Sequence, residues 1–288
     1  MQTIPESELV LNDDGSIYHL HILPEDIAET IIFVGDQERV PDVSKHFDKI
    51  ELKKSKREFV THTGTIGNKR LSVISTGIGT DNIDIVMNEL DALVNIDLRT
   101  RAVKQQPTSL QIIRIGTSGS LQEDIDVDST LITEYGLGLD SLMQFYDYEE
   151  PDEVSNLLSA IDEQLDLLFV NPYLFKAPGG LLERFGKQFD KGITATCCGF
   201  YGPQGRILRA DTKFENLIAR LNKVNANGKR ITNFEMETAG IYGMASLLGH
   251  EAISVNAILA NRIKQTFSSD PKKVVDETIK KVLELLVS

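Results

Sequence analysis

The segment Ile113-Arg114-Ile115-Gly116-Thr117-Ser118-Gly119 collects the residue types that hold an anion. A short apolar strand over Gln111–Ile115 is expected to end in a turn carrying two glycines, a threonine and a serine. Glycine lets backbone N–H groups approach an oxyanion, and hydroxyls and a guanidinium add further donors. Sheets of α/β proteins bind ligands at such strand ends. The spacing is neither GxGxxG nor GxxxxGK[ST], so dinucleotide and P-loop readings do not fit. Gly-Thr-Ser-Gly alone also closes ordinary loops. Arg114 carries more weight, because a charge inside an Ile-Ile-Arg-Ile strand needs a partner or a ligand.

Other clusters could do chemistry with that anion. Gly35 follows the strand ending at Val34, where its N–H can face an anion with no Cβ in the way. Arg39 lies one helical turn on if Asp36 starts a helix; the plain alternative is a surface ion pair with Asp36 or Glu38. Arg57 belongs to the run Lys53-Lys54-Ser55-Lys56-Arg57, which also reads as a solvated face. Glu235 and Glu237 flank Met236 at an expected helix start, where the helix dipole favours negative charge and capping is the plain role. At spacing i, i+2 they do not share a helix face, so one can serve a site and the other the scaffold. The loop Gly202-Pro203-Gln204-Gly205-Arg206 sets an amide and a guanidinium two residues apart. A glutamine there can donate and accept at once.

These residues must be held by a framework. Apolar β-type runs are read at Thr30–Val34, Leu71–Ser75, Gln111–Ile115, Thr130–Thr133, Ile193–Cys197 and Ala252–Leu259. Helix-period segments lie between and after them, at Ile83–Val94, Glu153–Leu168, Lys213–Lys223, Met236–Leu248 and Pro271–Val287. Strands alternating with helices indicate an α/β protein with a parallel or mixed sheet. No repeat, low-complexity tract or Pro/Gly/Ser linker divides the 288 residues, which reads as one domain. Asn95–Ser109 and Asp140–Pro151 are polar, variable-looking stretches, the second an expected surface loop.

Composition narrows the function class. A hydrophobic content of 41% with 25% charged residues is ordinary for a globular chain. The formal charge of −13 opposes nucleic-acid binding, which rests on clustered Lys and Arg. No apolar run approaches the roughly 20 residues that span a bilayer. The start, MQTIPESELVLNDDGS, has neither a basic n-region nor an apolar h-region, so the cytoplasm is the expected location. The two cysteines, Cys197 and Cys198, are neighbours whose side chains diverge on a strand. They are expected to be buried, inert thiols, without a disulfide or a zinc spacing.

A series of ordered blocks between about His19 and Arg262 resembles the nucleoside phosphorylase family, in its uridine phosphorylase branch. They are Phe33-Val34-Gly35-Asp36-Gln37-Glu38-Arg39, Lys56-Arg57-Glu58-Phe59, Ser75-Thr76-Gly77-Ile78-Gly79 and the IRIGTSG segment. Gly202–Arg206, Asn233-Phe234-Glu235-Met236-Glu237-Thr238-Ala239 and Leu259-Ala260-Asn261-Arg262 complete them. The resemblance implies a three-layer α/β phosphorylase/hydrolase-like fold, with a mixed central sheet flanked by helices. It implies a single domain over residues 1–288, whose residues 1–25 form an extension at a subunit interface. The implied reaction is reversible phosphorolysis of uridine to uracil and ribose 1-phosphate, a pentosyl transfer. Gly35, Arg39, Arg114 and Thr117 would bind phosphate, with Arg57 supplied by a neighbouring subunit. Met236, Glu237 and Thr117 would bind ribose, with His19 reaching it from the adjacent subunit and His21 as its alternative. Phe200, Gln204 and Arg206 would bind the base, and Glu237, Arg206 and Arg114 would be catalytic.

The resemblance implies no organic cofactor and no catalytic metal, inorganic phosphate being a co-substrate. Glu58, Ile78 and Asn82 match a monovalent-cation site of some relatives, where the last is a serine. Purine-specific relatives carry a Ser-Asp pair after the strand matching Ile253–Leu259; here Leu259-Ala260-Asn261-Arg262 has no carboxylate. The remaining alternatives are a nucleosidase or purine nucleoside phosphorylase of the same fold, or a non-catalytic nucleoside-binding protein. The working unit is expected to be a homo-oligomer, a dimer or trimer of dimers with shared sites.

Overall fold

Strand β1 (Thr30–Val34) is buried along its whole length, and its alternation sorts it between two layers. Ile31 and Phe33 join one apolar cluster, while Ile32 and Val34 join another on the opposite face. The computed structural model describes residues 3–167, 170–214 and 216–288. The expected helices Glu153–Leu168 and Lys213–Lys223 each include a residue outside the described ones, as does the start of the 1–25 extension.

In chain order, α1 (Arg39–Ser44) follows β1, then β2 (Lys49–Lys56), β3 (Phe59–Ile66), β4 (Lys69–Ser75) and α2 (Thr80–Asn95). A small hairpin, β5 (Ile96–Asp97) with β6 (Ala102–Val103), precedes β7 (Gln111–Ser120) and β8 (Thr130–Gly138). Next come α3 (Asp152–Leu165), β9 (Tyr173–Lys176), α4 (Gly179–Gly186), β10 (Asp190–Thr196) and α5 (Leu217–Lys223). The chain ends with β11 (Asn225–Ala226), β12 (Lys229–Glu235), α6 (Thr238–Leu248), β13 (Glu251–Asn261), β14 (Thr266–Phe267) and α7 (Pro271–Val287).

Twelve of these strands form one mixed sheet, ordered β11-β12-β10-β8-β13-β7-β1-β4-β3-β2, with β14 on β13 and β9 on β8. β4, β1, β7 and β13 run parallel to one another, so their C-terminal ends share an edge. β12 also pairs antiparallel with β7, Phe234 opposite Gly119. The pairings β7–β13–β8–β10–β12–β7 therefore close a ring of five strands.

Helices α2 and α6 cover one face, through Ile83, Val86, Leu90, Ile241 and Met244. Helices α1, α4 and α7 cover the other, through Val40, Phe185, Ile279 and Val282. Helix α7 is started as its sequence dictates: Asp270 accepts the Lys273 N–H at 3.2 Å, and Pro271 occupies the first turn. The expected three-layer α/β architecture is the observed one. Among the described residues, no helix is long and apolar enough to cross a membrane.

Four local expectations are corrected. Strand β7 does not end at Ile115 but runs through Gly116–Ser120, held by β13 along one edge and by β1 and then β12 on the other. Asp36 does not start a helix; α1 begins at Arg39, whose N–H bonds the Asp36 carbonyl at 3.0 Å. Glu235 ends a strand rather than opening a helix, and α6 starts only at Thr238. β10 ends at Thr196, leaving Cys197 buried, with a thiol pKa raised by burial, and Cys198 exposed; only the first is an inert, buried thiol.

Candidate active site

The parallel strand ends converge on a cavity of about 790 Å³. It is lined by Gly35, Arg39, Arg114, Thr117, Phe200, Gln204, Arg206, Met236 and Glu237, which are nine of the residues singled out in the sequence. They arrive from the β1 end, β7, the loop after β10 and the β12–α6 junction, so the sheet edge assembles segments far apart in sequence.

Arg114 is buried and makes three contacts. Its Nη1 donates to Asn256 Oδ1 at 3.1 Å, and its Nη2 lies 3.1 Å from Glu235 Oε2 and donates to Glu237 Oε2. Burial opposes the guanidinium charge, but Glu235 and Glu237 outweigh it and raise the pKa of Arg114. Glycine at 116 is required sterically, because a Cβ there would overlap the guanidinium.

The two glutamates divide as their spacing allows. Glu235 accepts the N–H groups of Glu237 and Thr238 at 3.0 Å and the Thr196 hydroxyl at 2.7 Å, capping α6. Among the described residues, the Glu237 carboxylate keeps only the Gly79 N–H, at 2.9 Å, besides Arg114. Burial, reinforced by the charge of Glu235, raises the pKa of Glu237 against the pull of Arg114 and Gly79.

Among the described residues, Arg39 forms no ion pair with Asp36 or Glu38, and its Nη1 donates to the Ile115 carbonyl at 3.4 Å. Its pKa is lowered by burial and by the charge of Arg114. Two neighbouring guanidiniums beside a cavity have the donor geometry that suits the oxygens of an anion.

Glu235 links this group to a second one. Its backbone carbonyl accepts a long bond from Gln204 Nε2 at 3.5 Å. Gln204 is buried, and its Oε1 accepts from Arg206 Nη1 at 2.7 Å. Arg206 also donates to the Phe200 carbonyl at 2.7 Å and lies 3.7 Å from the Phe200 ring centroid. Burial, followed by the charge of Arg262, lowers its pKa to about 10. An amide and a guanidinium set between aromatic faces can hold a flat heterocycle by its carbonyl oxygens. Phe234 and Arg262 belong here although the sequence reading gave neither a role. Phe234 lines the cavity, and Arg262 stacks over it at 5.4 Å and donates to the Gln204 carbonyl at 3.2 Å. The signal was present in Leu259-Ala260-Asn261-Arg262, whose guanidinium follows a buried strand.

Arg57 and His19 do not line the cavity of their own chain. Arg57, with φ of 55°, and Glu58 form the two-residue loop joining β2 to β3; Arg57 is exposed, while Glu58 lines the cavity. His19 is held by Glu89, its Nδ1 at 2.6 Å and its backbone N–H at 2.8 Å from Oε1. Its ring lies 6.3 Å from Phe59, and Lys56 stacks at 4.5 Å over the neighbouring Tyr18. The two residues expected to act on a neighbouring subunit thus share one surface beside the β2–β3 tip. His21 is not on a common strand face with His19: residues 18–20 form a turn, and His21 pairs with Asp14 at 3.2 Å.

The same fold recurs in known proteins. A sequence model of the Phosphorylase superfamily matches residues 29–288, and the chain belongs to that family. A uridine phosphorylase of Thermococcus kodakarensis is 30% identical over 279 residues, covering 94% of this chain and 88% of the relative. A DeoD-type purine nucleoside phosphorylase of Bacillus thuringiensis is 25% identical, covering 93% of this chain and 98% of its own. Among solved structures, a Trypanosoma brucei nucleoside phosphorylase described as showing uridine phosphorylase activity superposes with a TM-score of 0.89. It is 30% identical and covers 97% of this chain and 99% of its own.

Proposed function

We propose that this chain is a uridine phosphorylase, a pentosyltransferase that converts uridine and phosphate reversibly to uracil and ribose 1-phosphate. The observation that carries the reading is Glu237, a carboxylate poised beside the paired guanidiniums of Arg39 and Arg114, in one cavity with the Gln204–Arg206 pair. The uridine phosphorylases among its relatives support it.

In this reading phosphate is bound by the Gly35 N–H, Arg39, Arg114 and the Thr117 hydroxyl. Glu237 accepts the ribose hydroxyls, above the packing surface of Met236, and opposes the positive charge that grows on the ring. A phosphate oxygen forms the new bond to C1′ as the C1′–N1 bond breaks, and its electron pair leaves with the base. Gln204 and Arg206 donate to the uracil carbonyls and stabilise that departing anion, beside Phe200; a proton from solvent completes uracil. Positioning and charge compensation by side chains supply the chemistry, so the proposal includes no resident cofactor.

Charge counting supports shared sites. Arg114 pairs with Glu235 and Glu237 and Arg39 lies within the field of Glu237, so the charges of these four groups cancel before phosphate adds its own. A further cation is needed, and Arg57 of a neighbouring subunit fills that place, with His19 reaching the ribose 5′-hydroxyl from the same surface. The working unit is then at least a dimer. A place in the cytoplasm, in nucleoside catabolism and pyrimidine salvage, completes the proposal.

Incubating the protein with uridine in the presence and absence of phosphate tests the reading. Uracil and ribose 1-phosphate should form only with phosphate. Free ribose formed without phosphate would instead mark a nucleosidase.

A further inference from the structure

Arg114 is held on a further side by Asn256, a polar residue in the middle of the apolar strand β13. Asn256 is fully buried. Its Oδ1 accepts from Arg114 Nη1 at 3.1 Å, and its Nδ2 donates to Thr133 Oγ1 and Ser254 Oγ, each at 3.2 Å. Thr133 Oγ1 lies 2.6 Å from Thr194 Oγ1, which donates to Asn233 Oδ1 at 3.1 Å. Asn233 Nδ2 then donates to Ser118 Oγ at 2.8 Å. Arg114 and Ser118 are on β7, Asn256 on β13, Thr133 on β8, Thr194 on β10 and Asn233 on β12, so every strand of the closed ring contributes.

Chemistry gives this chain one sense. A guanidinium can only donate, so the Asn256 oxygen must face Arg114 and its NH₂ must face the two hydroxyls. Having accepted from Asn256, Thr133 donates to Thr194, and Thr194 to Asn233. Turning the Asn256 amide over would set its NH₂ against the guanidinium, donor facing donor, and force the two hydroxyls to reverse.

We infer that Asn256 is a positioning residue that keeps Arg114 available to phosphate. Glu235 and Glu237 both attract Nη2. With no neutral acceptor at Nη1, the guanidinium would turn its fork onto the carboxylates and make the stronger bidentate pair. Its donors would then leave the cavity. Asn256 holds Nη1 without adding a negative charge that would repel the anion. The inference rests on Arg114 being a phosphate ligand, as proposed above.

The test is steady-state kinetics with phosphate and uridine varied separately, in the parent and in Asn256→Ala, Asn256→Asp and Thr133→Val. For Asn256→Ala, KM for phosphate should rise roughly tenfold while KM for uridine stays within about twofold, the scale of one hydrogen bond to a charged group. Asn256→Asp keeps an oxygen on Arg114 but adds a third negative charge, so its phosphate KM should rise further, and more so at higher pH. Thr133→Val removes one anchor of the Asn256 amide without touching Arg114 or the cavity. It should raise phosphate KM in the same selective way, and it provides the test if the Asn256 variants do not fold. An unmoved phosphate KM in a folded Asn256→Ala or Thr133→Val protein, or an equal rise for both substrates, overturns the inference while the functional reading stands. A parent whose uracil release ignores phosphate overturns that reading and this inference together.

Discussion

Arg114 and Glu237, 123 positions apart in the chain, form a buried ion pair in which Glu237 Oε1 is held by the Gly79 N–H and Oε2 by the guanidinium. The pair neutralises itself in the free protein. In the proposed reaction, a phosphate arriving between Arg39 and Arg114 would compete for the guanidinium and free a carboxylate oxygen for the ribose. Binding of one substrate would thereby ready the group that acts on the other.

Glu237→Gln keeps the hydrogen-bonding shape but removes the charge that opposes the developing oxocarbenium ion. Turnover should fall by roughly 10²–10³, the usual cost of losing one such electrostatic contact. The fold should persist, as circular dichroism can show. A folded variant with turnover within a few-fold of the parent removes Glu237 from the mechanism.

Arg206→Ala should damage use of the nucleoside and leave phosphate KM nearly unchanged, whereas Arg114→Ala should do the reverse. pH adds a second signature. Burial and the charge of Arg262 lower the Arg206 pKa to about 10, so its charge is lost as pH rises through that value, well before an ordinary arginine. Nucleoside KM should climb there in the parent more steeply than in Arg206→Ala, since ionisation of the nucleoside itself is common to both. Stability moves oppositely: between about pH 10 and the ordinary arginine range the unfolded chain binds the extra proton, so this group favours the folded state increasingly as pH rises. Parallel profiles in the two proteins contradict the assignment.

Glu235→Ala is expected to act on stability. It removes the cap from α6 and one of the two carboxylates compensating a buried guanidinium. Breaking a buried pair in this way costs about 3–5 kcal/mol. Urea unfolding would show the loss as a lower midpoint, and an unchanged midpoint contradicts the structural role of Glu235.

Much of this was legible in the sequence. Thr30–Val34 and Pro271–Val287 stand where periodicity put them, because an all-apolar strand and an amphipathic helix are signals local to the chain. The continuation of β7 through Gly116–Ser120 was not readable, since glycine and hydroxyl residues signal a turn unless strands on both edges pair with them. The hairpin β2–β3 escaped notice because its edge strand alternates half-buried and exposed positions among lysines. Asn256 was missed although it obeys the rule that drew attention to Arg114: a polar side chain in a buried apolar strand needs a partner. Only strand pairing, which sets Asn256 opposite Gly116 and Ser254 opposite Arg114, reveals that each is the other's partner.

Shared sites can be tested by mixing two inactive proteins. An Arg57→Ala chain and a Glu237→Ala chain, after subunit exchange, should regain activity, because one site of a mixed dimer receives both intact residues. Random reassortment makes about half the dimers mixed, each with one good site of two, so about a quarter of parental activity is expected. No recovery after verified exchange would mean that Arg57 serves its own chain or no site at all.

The most direct measurement of the central claim is the fate of the uridine C1′ carbon with and without inorganic phosphate. Phosphorus NMR should show ribose 1-phosphate accumulating in step with uracil when phosphate is present, and neither product when it is absent. Uracil release with free ribose at the same rate in both conditions would contradict the account.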